Sequence, residues 1–154
     1  MTCEIRPLGT RDVDALGCFF ETIAIDEKLV GFFHPHAFDR PMAERICRRT
    51  AIQQDEYFAA FDAEQVVGYG MLRGWDEGYS TPAFGVCVLP LYQGRGIGAC
   101  LLDYAIGRAT THGSSRIMLK VRFDNDAAKR LYDGRGFEFT GREADQLVGY
   151  KSLD

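Results

Sequence analysis

PAFGVCVLPLYQGRGIGA, residues 82–99, is the stretch from which the rest of the chain is read. Its first half is apolar and β-prone, Pro90 breaks it, and three glycines fall within five residues before an apolar-periodic segment begins. The spacing predicts a strand, a turn and a helix start. Gly94, Gly96 and Gly98 have no Cβ, which lets the backbone reach positive φ and turn successive N–H groups toward one point. The first N–H groups of the following helix lack intrahelical partners and sit at the positive end of its dipole. A phosphate or diphosphate is the guest this arrangement predicts.

Three phosphate patterns compete for the segment. A P-loop ends in Gly-Lys-Ser/Thr, and Gly98, Ala99 and Cys100 supply neither the lysine nor the hydroxyl. Gly94, Gly96 and Ala99 fit the Gly-x-Gly-x-x-Ala of a dinucleotide fold, which needs an acidic residue about 20 positions on, after a strand. The next predicted strand, residues 116–123, reaches Asp124 too late, and too little chain follows for a six-stranded doubly wound sheet. The third pattern is Gln-x-x-Gly-x-Gly at Gln93, Gly96 and Gly98, preceded by Val-x-Val-x-Pro at Val86, Val88 and Pro90. In these residues the chain resembles the GNAT superfamily of acyl-coenzyme A dependent N-acetyltransferases. A second block, NDAAKRLYDGRGF at 125–137, is similar to the family's Asn-x-x-Ala-x-x-Leu-Tyr-x-x-x-Gly-Phe. The two blocks cover roughly the C-terminal half, and the opening Ile5, Arg6, Pro7 and Leu8 ahead of a helix is also similar to family members.

Composition sets the bounds around this motif. At 154 residues the chain is read as one domain, 1–154, with 46% hydrophobic and 26% charged residues. A net charge of −4 argues against nucleic acid as the partner. No apolar run approaches about 18 residues and no charged-then-apolar segment precedes the first element, so no membrane span and a cytoplasmic location are expected. Cys3, Cys18, Cys47, Cys87 and Cys100 are odd in number and form no Cys-x-x-Cys pair, and they read as reduced core residues. With His34, His36 and His112 as the only histidines, no metal site is expected.

Along the chain, a strand at 3–6 is followed by a helix with Thr10 as N-cap and Val13, Leu16, Phe20 and Ile23 on one face. Residues 27–39 read as a loop rich in Leu29, Val30, Phe32, Phe33 and Phe38, either folded under the core or lining a pocket. Asp39 caps a second helix with Pro41 in its first turn. A hairpin spans 56–73, and a glycine-rich, charged loop, 74–82, is expected to be exposed enough to meet a substrate. After the phosphate loop, Ile97, Leu101, Leu102, Ala105 and Ala109 stripe a helix, residues 117–123 alternate as a half-buried strand, and a helix at Asn125 precedes two last strands.

The resemblance implies an α/β fold of the α+β type: a mixed, mostly antiparallel sheet with a central splay, flanked by about four helices. It implies acetyl-coenzyme A as co-substrate, its pantetheine on the main chain of Val86, Cys87 and Val88, and its diphosphate on Gln93, Gly94, Arg95, Gly96, Ile97, Gly98 and Ala99. Arg95 either adds a charge contact or points to solvent. Asn125 matches a cofactor-contacting asparagine, and it is equally a helix N-cap. Tyr132 matches the tyrosine that acts as general acid. With an unperturbed pKa of about 10, a phenol stays protonated at neutral pH and can donate to a departing thiolate. Its alternative role is a core aromatic. Many members carry a glutamate base in the strand before Val-x-Val-x-Pro, where Ala83, Phe84 and Gly85 have none, and the N-terminal peptide acetyltransferases place one where this chain has Lys120. The remaining base candidates are Glu77 and Asp76, and His34 and His36, with Trp75 beside the acceptor; each carboxylate could instead be solvated and each histidine packed. The expected reaction is transfer of acetyl to a primary amine of a small molecule. Acetylation of a protein amine and a non-catalytic acyl-coenzyme A sensor are the alternatives. Homodimers are common in the family, which leaves a homodimer open, although no surface in the sequence announces one.

Overall fold

A computed structural model describes residues 4–49 and 52–154. The elements in order are β1 (Glu4–Pro7), a 3-10 turn (Thr10–Asp12), α1 (Val13–Ala24), α2 (Glu27–Phe32), α3 (Arg40–Cys47), β2 (Glu56–Asp62), β3 (Gln65–Arg73), β4 (Ala83–Val88), a 3-10 turn (Pro90–Tyr92), α4 (Ile97–Thr111), β5 (Arg116–Arg122), α5 (Asp126–Gly134), β6 (Glu138–Glu143) and β7 (Gln146–Ser152). The strands form one sheet in the order β1-β2-β3-β4-β5-β7-β6. Every neighbouring pair is antiparallel except β4 and β5, which run parallel. This is the expected mixed sheet.

Strand alternation divides the core into two faces. Gly68 on β3 faces Ile97 and Leu101 of α4, and Phe84 on β4 meets Tyr132 of α5 edge-on at 6.4 Å between centroids. Gly85, next along β4, faces Met71 and Phe33 on the other side. So α4 and α5 cover one face, while Phe33 marks the face covered by the segment that follows α1. The stripe Ile97, Leu101, Leu102, Ala105 and Ala109 is buried as its period predicts, and Leu16, Phe20 and Ile23 of α1 are fully buried. No helix is long and apolar enough to cross a membrane.

The structure departs from the sequence reading in three places. The segment read as a loop from residue 27 begins with α2, a fifth helix. Its six residues are too few to display a helical period, but the Asp26 carboxylate accepts the Leu29 N–H at 3.1 Å and starts the turn. Thr10 makes no cap; Asp12 instead takes the Gly9 N–H at 2.8 Å and pairs with Arg6 through two 2.9 Å hydrogen bonds. Among the cysteines, Cys47 and Cys87 are buried but Cys18 and Cys100 are exposed, each on the outer side of its helix, and Cys3 lies outside the described residues.

Candidate active site

β4 and β5 pair at two positions only, Ala83 with Met118 and Phe84 with Leu119. Each strand then stays with its outer neighbour, β4 to Val88 opposite Gly68 and β5 to Arg122 opposite Gln146. The inner edges of residues 85–88 and 120–122 therefore have no strand opposite, and the sheet opens as a fork. Buried backbone groups require partners, so two facing unpaired edges invite a ligand that carries amides of its own. The fork widens into a cleft of about 610 Å³ walled by β4, β5, α2, α5 and the start of α4.

At the mouth of the cleft, Gly94 and Gly96 adopt φ of +76° and +83°, values an L side chain strains to reach. Gly96 is the N-cap of α4 and offers no side-chain acceptor. The first intrahelical bond is Cys100 N–H to the Gly96 carbonyl at 3.0 Å, which leaves the N–H groups of Ile97, Gly98 and Ala99 without a helical acceptor. Gln93 donates its side-chain Nε2 to the Val88 carbonyl at 3.0 Å, tying the end of β4 to the beginning of the glycine bend. Gln93, Gly94, Gly96, Ile97, Gly98 and Ala99 line the cleft with Val86, Cys87 and Val88. Arg95 instead lies over the Tyr92 ring, 5.1 Å from its centroid. Asn125 also lines the cleft while its Oδ1 caps α5 through the Ala128 N–H at 3.3 Å, so both of its expected roles fit one position.

Tyr132 stands on α5 where the fork closes, buried between Phe84 and Phe137. Burial pushes its phenol well above the usual value of 10. Its proton is thus retained at any neutral or moderately alkaline pH, on a group that lines the cleft. The opposite wall is one the sequence did not single out as a site: Asp26, Lys28, Leu29, Phe32 and Phe33, with Lys120 from β5. The aromatic content of residues 27–39 was the available signal, and lining a pocket is the role that Leu29, Phe32 and Phe33 take. Lys120 also pairs with Glu143 at 3.1 Å.

The five residues expected to meet the acceptor are not among those lining the cleft. Trp75 stacks on His112 at 3.8 Å and donates to Ser114 Oγ at 3.3 Å, under the C-terminal end of α4. Asp76 accepts the N–H groups of Gln54 at 2.6 Å and Asp55 at 3.1 Å, and Glu77 is exposed beside it. That loop precedes β4 whereas the glycine bend follows it, so the six-residue strand holds them roughly 20 Å apart. His34 is exposed, with Nδ1 on the Val30 carbonyl at 2.9 Å. His36 packs among Phe20, Phe38 and Tyr69, its Nδ1 on the Ala37 carbonyl and its Nε2 accepting from the Tyr69 hydroxyl at 2.8 Å. Burial lowers its pKa below 6.5, which keeps that tautomer neutral.

Several known proteins are similar to this chain. The chain is 37% identical over 87 residues to mycothiol acetyltransferase of Corynebacterium aurimucosum, a match covering 54% of this chain and 28% of that relative. It is 35% identical over 113 residues to the N-alpha-acetyltransferase RimI of Mycobacterium tuberculosis, covering 70% and 62% respectively. The matched stretches thus span less than two thirds of either relative's length. In fold it is similar to PaiA N-acetyltransferase from Thermoplasma acidophilum in complex with coenzyme A, at a TM-score of 0.76, 19% identity and 99% of both chains. The Acetyltransferase (GNAT) family model matches residues 23–137, a stretch that holds the fork, the glycine bend and Tyr132 together. On that match this chain belongs to the GNAT family of acetyltransferases.

Proposed function

We propose that the chain transfers the acetyl group of acetyl-coenzyme A directly to a primary amine of a small molecule. The observation that carries this reading is the start of α4, where three adjacent N–H groups with no capping side chain open onto the forked sheet. Capping such a start is worth about 1 kcal/mol to a helix, so leaving it bare favours a diphosphate as the missing cap. The Ile97, Gly98 and Ala99 amides bind that group, and the unpaired edges at residues 85–88 and 120–122 bind the amide-bearing arm behind it.

Bound acetyl-coenzyme A supplies an acyl carbon already activated as a thioester. Tyr132 holds a proton at its hydroxyl in a site shut off from water by Phe84 and Phe137, and it gives that proton to the departing sulfur. Its raised pKa suits a donor that must not ionise beforehand. Protein N termini form a second acceptor class, favoured by the likeness to RimI. The carboxylate expected of such enzymes is replaced by Lys120, which favours the small-molecule reading.

Two measurements test the proposal. Calorimetry is expected to show coenzyme A binding in the micromolar range, and an amine library followed by free-thiol release is expected to yield an acceptor. Lack of association at millimolar coenzyme A would overturn it, and binding without thiol release from any amine would leave an acyl-coenzyme A sensor. A peptide panel outrunning every small amine would move the acceptor to proteins.

A further inference from the structure

The proposed reaction needs a group that receives the amine, and Ala83, Phe84 and Gly85, where the fork begins on β4, carry no carboxylate. Among the described residues that line the cleft, Asp26 is the one carboxylate. It lies at the joint between α1 and α2, its N–H on the Ile23 carbonyl at 2.9 Å and its own carbonyl taking the Val30 N–H at 3.0 Å, so the backbone beneath it is fixed from both sides. One carboxylate oxygen, Oδ1, is committed to the Leu29 N–H, and this commitment orients the side chain. A carboxylate has acceptor capacity for several donors, so the cap does not exhaust it.

Its position relative to the fork follows from strand alternation. Phe84 faces Tyr132, Gly85 faces Phe33, and Cys87, two residues further, shares the Gly85 face. Cys87 and Asp26 line the same cleft, and burial, with a smaller contribution from the Asp26 charge, pushes the Cys87 thiol up to about 12. α2 runs from its N-cap Asp26 to its C-cap Phe33 on the Gly85 face, whereas Tyr132 meets Phe84 on the other, so Asp26 and Tyr132 address the same cleft from opposite faces of the sheet. The remaining wall on the Asp26 side is apolar at Leu29, Phe32 and Phe33, which strengthens any charge pairing made against it, and it also carries Lys28 and Lys120, the latter paired with Glu143 at 3.1 Å.

We infer that Asp26 is the acceptor-binding carboxylate of this enzyme, drawing the ammonium of the incoming amine to the face of the fork opposite Tyr132. The inference rests on the acetyl-transfer reading above. The acceptor class it selects is a protonatable amine presented from the α2 side. In the transfer step the amine nitrogen forms a bond to the acyl carbon as the carbon–sulfur bond breaks. Before that bond forms the ammonium gives one proton to the Asp26 carboxylate, which passes it to solvent; the departing sulfur then takes the Tyr132 proton, and the second proton shed by nitrogen restores the Tyr132 hydroxyl.

The capping duty and the charge can be separated, because asparagine and serine cap helices about as well as aspartate. Asp26→Asn and Asp26→Ser are made in the full chain and assayed with the acceptor that gives the fastest thiol release in the amine library. Both are expected to raise KM for that amine at least tenfold with coenzyme A affinity, measured by calorimetry, within twofold of the parent. Asp26→Glu is expected to recover part of the loss. Amine KM and kcat within twofold of the parent in both neutral variants would overturn the role of Asp26 and leave acetyl transfer standing. A parent chain that binds no coenzyme A, or acetylates no amine, would overturn both.

Discussion

The two ends of α4 solve opposite problems with the same backbone. At its C-terminal end every group is answered from nearby: Trp75 lies flat on His112, His112 Nε2 meets Glu56 at 2.6 Å, and Arg108 grips the same carboxylate at 2.7 and 3.0 Å. Gly113 turns out at φ +82° and donates to the Thr110 carbonyl, while Ser114 donates to Ala109. This is a closed C-cap. At the N-terminal end Gly96 gives no cap, three amides are left over, and the adjoining strands part. One end spends its polar groups on the fold and the other keeps them for a guest. The loop that looked reactive by composition, 74–82, belongs to the closed end: Asp76 is consumed by the Gln54 and Asp55 N–H groups, and Glu77 is exposed away from the cleft.

The sharpest way to break this comparison is to cap the open end with the chain's own charge. A Cβ at Gly98 would come no closer than 3.8 Å to Leu131, so Gly98→Asp fits. An acidic residue there favours the helix but repels a diphosphate, and coenzyme A affinity measured by calorimetry is expected to fall by about a hundredfold, roughly 2.7 kcal/mol, with the melting temperature held or raised. Next in size is Tyr132→Phe, which keeps the ring among Phe84 and Phe137 and removes only the hydroxyl. Turnover on an identified acceptor is expected to drop at least tenfold, about 1.4 kcal/mol of barrier, at unchanged coenzyme A affinity.

The closed end is expected to respond in the other currency. Trp75→Ala removes the stack and the bond to Ser114, and chemical denaturation should show a loss of about 1–3 kcal/mol with coenzyme A affinity unchanged. A smaller effect comes from Glu56. Burial opposes its charge, but the hydrogen bonds and charges of Arg108 and His112 outweigh that and hold its pKa below 4.5. A depressed folded-state pKa gives stability that is fully present above about pH 4.5 and lost as pH falls through the folded value. Melts between roughly pH 3 and 6 should therefore show a shallower acid slope in Glu56→Gln than in the parent. Smallest of all, Glu77→Gln should change stability by less than about 0.5 kcal/mol and turnover by less than twofold, since the side chain is exposed and away from the cleft.

Much of the cofactor half was legible because backbone geometry leaves a mark in residue type. Glycines at 94 and 96 mark positive φ, Pro90 marks the strand end, and the stripe from Ile97 to Ala109 marks the buried face of α4. The acceptor half was not, because it is built from side chains brought together by tertiary contacts. His36 looks like a base in sequence, and only the packing of Phe20, Phe38 and Tyr69 around it shows a neutral, doubly bonded ring. Asp26 looks like an ordinary turn residue, and only the parting of β4 from β5 places it beside an opening. α2 escaped notice because the six residues from Glu27 to Phe32 are too few to display a helical period.

The clasp from Gln93 to the Val88 carbonyl has a kinetic corollary. Since it fixes the curve of the glycine segment within the chain itself, the entropy of arranging that segment is lost during folding rather than on encounter. Mixing in a stopped-flow instrument should then give a single phase whose observed rate climbs in proportion to ligand concentration, without a plateau from a slow rearrangement.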